Sequence, residues 1–598
     1  MLKPPLSALG FDPARLSMGF RTAIGCCIAL FLAHFLGLEH PQWAGMSVWA
    51  AAQPLRGQVF EKSAFRFLGT LVGTGVGILL VLLSQIEISL MVTALALWIG
   101  LCTWGASLWR GIPAYGVALA GYSASLVALI DVGRPEQVLS LGADRLATVL
   151  LGVLVGTLIA QAFAPGRASD GLQGRVRRHV ARILRARAGG PLPDAEAQVL
   201  LAKLAALDES LDAHGAGSPA GRQALRAARR LVLAGTAMVL EGDAAPPAPR
   251  RDLHRIADHL ERGRDEAAKL LCQGHPGLDD LRLSLHVLEA AADAPLPVPQ
   301  HSDPAGAREA GLRAFGAILL FGLAWALSGW APGAWMLLGL SVMISIFSSF
   351  ETPVLVMRHV LLGQVIGVCA MLICQMLLWP LVSTAAGQIA MMVPFLLLGP
   401  FLSAHRRTVI AAMDFHMVFL LLSQPQIPFV ADPLAALAKG LAVVSAPVLA
   451  WGLFALIWPA GPVRRLEHLR LAMLADLSSL AASESGGDYA PRSRSRLLLR
   501  ALPAAAFAQK VTPGDPGLLH RARAMLVLQN GITRLQSLKE APGREGRAAR
   551  TALRRLEMLS TAPATALHGL RHIADHAPEE LRPLLRPLVP ALLRVTQE

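Results

Sequence analysis

Residues 19–37 read GFRTAIGCCIALFLAHFLG, and residues 311–329 read GLRAFGAILLFGLAWALSG. Each is an apolar run entered through a glycine and an arginine, close to the roughly 20 residues a helix needs to cross hydrocarbon. The two runs begin 292 positions apart, and Trp43 and Trp335, Arg66 and Arg358, and Gly75 and Gly367 keep the same offset. Each run heads an apolar block of about 145 residues, followed by a polar, arginine-rich segment of about 140. The pattern implies a duplicated membrane half with its own polar domain, and parallel internal repeats of this kind recur where a path is built across a bilayer.

Composition points the same way. Of the 598 residues 54% are hydrophobic and 16% charged, against about 25% charged in an ordinary soluble protein; mean hydropathy is +0.49. All eleven tryptophans fall in the apolar blocks, several of them (Trp43, Trp109, Trp330, Trp335, Trp379, Trp458) at span edges, as indole does at a headgroup boundary. One large soluble globule is excluded. The net charge of +14 is read as arginine on the cytoplasmic side of a membrane protein, not as a nucleic-acid surface. The six cysteines show no metal-ligand spacing, and five lie inside apolar spans. The first span has no cleavage site and is read as an uncleaved anchor.

Twelve spans are expected, at about 17–37, 41–55, 62–84, 87–108, 112–131 and 140–164, then 312–330, 333–349, 354–379, 384–403, 406–424 and 433–458. The second span of each half is short. Cations set the orientation. Lys3, Arg15, Arg21, Arg56, Lys62, Arg66, Arg110 and Arg167 fall on one side of the first half, whereas the intervening turns carry little beyond His40 and Arg134. Both termini are therefore expected in the cytoplasm. The predicted fold is an all-α membrane protein of two parallel six-helix transmembrane repeats, each followed by a cytoplasmic helical bundle. The domains are 1–166, 167–305, 306–461 and 462–598. Proline-rich linkers lie at 244–249 and 295–299, and the polar, Gly/Ser-rich stretch 483–496 (SESGGDYAPRSRSR) is read as mobile.

Glycines recur one turn apart as Gly69-Gly73-Gly77 and Gly363-Gly367, a spacing that lets helix backbones approach closely. Lining a narrow conduit is the alternative reading. Asp414 sits near the middle of its span, where an acid is costly and suits a group that binds and releases a proton; a structural hydrogen bond is the competing reading. His416, about 200° further round the helix, is a second candidate. Arg21, Arg66, Arg313 and Arg358 begin the first and third spans of both halves. They either mark topology or form a ring of guanidinium groups that grips carboxylates at a pathway mouth. Arg145 and Lys439 fall near the opposite leaflet at roughly matching positions, with Asp144 beside Arg145. His34 reads as a packed histidine or a lining group. No Walker phosphate loop, HExxH helix, GxSxG elbow or dinucleotide fingerprint is present, so no catalytic residue, metal or cofactor is expected.

The stretches GFRTA (Gly19–Ala23), PQWAGMSV (Pro41–Val48), Gln53-Pro54 and RFLGTLVG (Arg66–Gly73) resemble the fusaric acid resistance family, which includes bacterial aromatic-acid exporters. The resemblance covers essentially the whole chain. The second half departs from the pattern, with Ser345-Ile346 for Gln53-Pro54 and Leu361-Leu362 for Gly69-Thr70. What the resemblance implies is a bacterial inner-membrane efflux transporter for aromatic or other weak organic acids, such as fusaric acid or hydroxybenzoates. It implies drive by the proton gradient and a periplasmic membrane-fusion adaptor as partner. A passive organic-anion channel and a non-transporting scaffold or envelope-stress protein stay open, as does pairing of two copies into a homodimer.

Overall fold

The computed structural model describes residues 8–109, 111–130, 133, 135–165, 169–214, 219–241, 248–289, 303–350, 352–459, 461–483, 486–512 and 515–596. Lys3, Arg110, Arg134, Arg167, the linker at 295–299 and most of that at 244–249 lie outside the described residues. Among the described residues there is no strand, only an isolated bridge between Phe11 and His405. The chain divides into two compact units, one of residues 1–168 and 304–461, the other of 169–303 and 462–598.

The apolar unit has twelve principal helices. In the first half they are α1 (Pro13–Phe35), α2 (Pro41–Ala51), α3 (Arg56–Ser84), α4 (Ile88–Leu108), α5 (Ile112–Ile130) and α6 (Val138–Phe163). In the second half they are α7 (Pro304–Ser328), α8 (Gly333–Phe347), α9 (Pro353–Ile373), α10 (Ala385–Ala404), α11 (Val409–Leu422) and α12 (Pro433–Leu456). Local chemistry sets their ends. Asp12 caps α1 by accepting from the Ala14 and Arg15 amides, with Pro13 at the first helical position. Asp432 caps α12 in the same way before Pro433. α9 passes into a π-helical turn at Cys374–Leu378 and stops at Trp379-Pro380. Among the described residues nine helices are long and apolar enough to cross a membrane, while α8 and α11 are apolar but shorter. α2, with 11 residues, is buried at every position.

The helix pairings come in matched sets. α3 packs on α5 as α9 packs on α11, and α2 on α6 as α8 on α12. Across the halves α1 packs on α10 and α7 on α4, α2 on α11 and α8 on α5. The glycine that opens each half explains the first pair of crossings. A Cβ at Gly19 would meet the Pro400 Cα at 2.8 Å, and one at Gly311 would meet the Trp104 Cβ at 2.8 Å and the Gly100 carbonyl at 2.9 Å. Only a hydrogen fits between the crossing backbones.

The described elements of the polar unit are all helices joined by short turns, and its core draws on both polar segments: Leu184, Leu204, Leu231 and Ile256 from the first, Leu477, Leu528, Leu553 and Leu585 from the second. Arg494 pairs with Glu241 and, at 2.7 Å, with Asp280. Asp194 accepts from Arg523 and lies against the His520 ring, each at 2.8 Å. Hydrogen bonds from His520 and Arg523 outweigh partial desolvation and hold the Asp194 carboxyl below the usual carboxylate range. The reading of 483–496 as mobile is corrected here: a helix runs from Gly486 to Val511, and Arg494 anchors it through its ion pairs.

Candidate functional site

The glycines of α3 lie against α5. A Cβ at Gly69 would fall 2.5 Å from the Gly116 carbonyl, one at Gly73 2.6 Å from the Ala120 carbonyl, and one at Gly77 2.6 Å from the Val127 Cβ. This close approach sets Arg66, one turn before Gly69, against Tyr115 of α5. Its Nη1 donates to the Tyr115 hydroxyl at 2.8 Å and its Nη2 to the Ser47 hydroxyl at 3.2 Å. Ser47 in turn donates to the Trp43 carbonyl at 2.8 Å. Tyr122, two turns along α5, also faces the guanidinium. Lys62 lies 4.9 Å from the centre of the Tyr115 ring.

Arg66 is 7% exposed, its Nε has no partner, and no carboxylate pairs with it among the described residues. It stands ten residues, roughly 15 Å, from the first residue of α3. A buried cation with hydroxyl neighbours and no acid is an arrangement that accepts a carboxylate from outside the protein.

The other three arginines are differently placed. Arg21 donates to the Gln53 and Pro54 carbonyls at 2.5 and 3.2 Å. It lines a small, partly open cleft with Thr22, Val48, Ala52, Gln53 and Gly156. Arg313, 3% exposed, donates to the Ile457 and Trp458 carbonyls at 3.2 and 2.9 Å. Both close helix ends. Arg358 is exposed, so its expected pairing with Arg66 does not carry into three dimensions. The glycines show why. Gly363 and Gly367 meet the Ala411 and Phe415 carbonyls of α11, whereas Gly75, which Gly367 matches in sequence, has nothing within 4 Å. The packing register of α9 is thus shifted from the sequence offset by about two residues, a turn of roughly 200° that carries Arg358 off the face Arg66 occupies.

Arg145 and Lys439 share a different role. The Arg145 guanidinium lies 4.1 Å from the Trp43 ring centre and the Lys439 ammonium 5.7 Å from that of Trp335, so each half sets a cation of its last helix over the repeated tryptophan. Asp144 meets the His40 ring at 3.0 Å and accepts from the Glu39 amide at 2.8 Å. His34 is half-buried at the end of α1, its ring 5.7 Å from that of Phe35.

Asp414 is 7% exposed and faces α9, where Gln364 is its polar neighbour and the missing Gly363 side chain makes room for it. His416 is fully buried on another side of α11. Its Nδ1 lies 2.5 Å from the Ala412 carbonyl, and its ring stacks on Trp49 of the first half with centroids 3.5 Å apart. Its Nε2 has no partner, and a Cβ at Gly399 would collide with the ring. The structure thus separates the two candidates that stand two residues apart. Tyr115, Ser47 and Gln364 were not singled out in the sequence. A signal existed for Tyr115: the chain has three tyrosines, and Tyr115 and Tyr122 stand two turns apart on one helix face.

The sequence profile of the fusaric acid resistance protein family matches residues 15–269 and 241–594. The chain belongs to this family. Among curated relatives, it is 29% identical over 160 residues to the p-hydroxybenzoic acid efflux pump subunit AaeB of Edwardsiella tarda (strain FL6-60), covering 25% of each chain. It is 30% identical over 141 residues to the uncharacterized transporter YdhK of Escherichia coli (strain K12), covering 23% of this chain and 21% of that one. The alignments therefore span about a quarter of these relatives. No solved structure matches the chain. Membership in the fusaric acid resistance family, together with the apolar helices, makes this a multi-pass membrane protein of a transporter family and not an enzyme.

Proposed function

We propose that the protein is an inner-membrane efflux transporter that exports aromatic or other weak organic acids, coupled to protons through Asp414. The observation that carries this reading is Arg66, a buried guanidinium held by Tyr115 and Ser47 with no carboxylate of its own. An organic anion supplies the missing charge, and the aromatic rings of Tyr115 and Tyr122 give its apolar body a compatible wall. Asp414, buried beside Gln364, is the group that takes up and releases the proton. The excess of arginine and lysine in the turns on one side supports an orientation with both termini in the cytoplasm. The Edwardsiella relative is a p-hydroxybenzoic acid efflux pump subunit; the acid in its name supports an organic-acid substrate, and the word subunit supports a further chain, which in this reading is a periplasmic adaptor.

The test uses cells preloaded with p-hydroxybenzoate. Arg66→Gln removes the charge and leaves a shorter polar amide in its place, and is expected to abolish efflux while the protein remains folded by thermal melt. Wild-type efflux by that variant overturns the reading. Collapse of the pH gradient stops a coupled exporter and leaves a passive channel conducting.

A further inference from the structure

We infer that the anion's path runs inside a single chain, along the seam between the halves around α2 and α8. This rests on the exporter reading above and says where it operates.

The two helices at the seam are too short to cross a membrane. With 11 and 15 residues they span roughly 17 and 23 Å, against about 30 Å of hydrocarbon. Each is enclosed by its own half and by a helix of the other, α2 by α11 and α8 by α5. Cross-seam contacts are specific. His416 stacks on Trp49, and a Cβ on Gly121 would lie 3.8 Å from the Ser345 hydroxyl. Tyr122, next to Gly121, faces Arg66.

Unpartnered polar atoms lie on α8 and on the helices that touch these two. The Arg66 Nε, Thr103 Oγ1, Ser345 Oγ, Gln364 Oε1 and His416 Nε2 are buried without a hydrogen-bond partner. They lie on α8 itself, on α3 and α11, which pack against α2, and on α4 and α9, which touch α8. Buried polar groups are nearly always satisfied, and polar groups inside a membrane protein usually face protein or a hydrated cavity. Five such atoms around two short helices mark a seam that admits water and, with it, a hydrated carboxylate. The outward faces are different in kind. Leu79 and Leu82 of α3, Leu97 of α4, Leu158 of α6 and Leu441 of α12 are exposed and apolar, suited to lipid. A path between two copies would need polar groups there.

Hydroxyl-radical footprinting of the full-length protein in lipid nanodiscs, read residue by residue by mass spectrometry, tests the seam. Trp49 and Trp379 are both buried, at 6% and 1% exposure. Trp49 at the seam is expected to be oxidised at least about threefold faster than Trp379, since only hydrated sites generate the radical. Ser345→Cys is expected to react with a small hydrophilic thiol reagent, and Leu79→Cys on the lipid face is not. Equal rates at Trp49 and Trp379 together with an unreactive Ser345→Cys overturn the seam, even where export is measured. Reaction at the seam without protection by p-hydroxybenzoate keeps the seam and removes that acid as substrate.

Discussion

Gly69→Ala separates helix packing from the chemistry it supports. The new methyl carbon would start 2.5 Å from the Gly116 carbonyl oxygen and 3.2 Å from the Leu119 Cβ. An ordinary carbon–oxygen contact is about 3.3 Å, so α3 and α5 must part locally by about 0.8 Å. The obstacle is backbone and cannot swing aside. Arg66 lies one turn before Gly69, and Tyr115 immediately precedes Gly116, so the separation falls on the 2.8 Å bond between them. Stretched to about 3.6 Å, it ceases to be a hydrogen bond. Overpacking of this size costs about 1–3 kcal/mol, which a protein of this length survives folded. Gly75→Ala is the control: it sits on the same helix, and its Cβ meets nothing within 4 Å. In efflux of p-hydroxybenzoate from preloaded cells, normalised to the amount of protein in the membrane, Gly69→Ala is expected to slow export severalfold and Gly75→Ala to leave it unchanged. Wild-type export by Gly69→Ala would refute the argument that the glycine ladder serves the Arg66–Tyr115 contact.

Asp414→Asn keeps the size of the side chain and is expected to abolish pH-gradient-driven export in substrate-loaded vesicles without lowering thermal stability; unchanged efflux removes Asp414 from the mechanism. Arg358→Gln is expected to leave export within about twofold of wild type, because an exposed surface substitution usually perturbs little; a loss as large as that of Arg66→Gln would restore the pairing the structure breaks. Gly399→Ala drives a methyl group into the His416 ring, and is expected to lower the melting temperature and shift tryptophan fluorescence as the Trp49 stack is lost. An unchanged spectrum would mean that the stack is not held in this way.

The spans were legible because hydrocarbon imposes a length and a composition on each helix. α4, expected at 87–108, runs from Ile88 to Leu108, and α12, expected from 433, begins at Pro433. Prolines and capping acids wrote the boundaries locally. The partners of the arginines were not legible, because they depend on how helices meet. Arg313 reaches carbonyls 144 and 145 positions away, and nothing near it in sequence names them. Arg66 and Tyr115 meet through glycines that say two helices touch but not which two. The 292-residue offset misled at Arg358 for a related reason. It compares positions along the chain, whereas a slip of two residues in packing register turns the whole helix face. Asp414 and His416 are the contrary case: helix geometry alone put them about 200° apart, and one does face α9 while the other meets Trp49 across the seam.

The crossings at Gly19 and Gly311 carry one more consequence. Each half offers a notch at the head of its first helix and a ridge on its fourth, and each notch is filled by the other half's ridge. A six-helix chain of this design has both surfaces but no way to join them to each other. It would be complete only when two copies embraced head to ridge in a symmetric dimer. Fusing the copies end to end makes that embrace obligatory, and it frees each half to lose what the other retains. The exposed Arg358, where the first half buries Arg66, is such a difference between the halves.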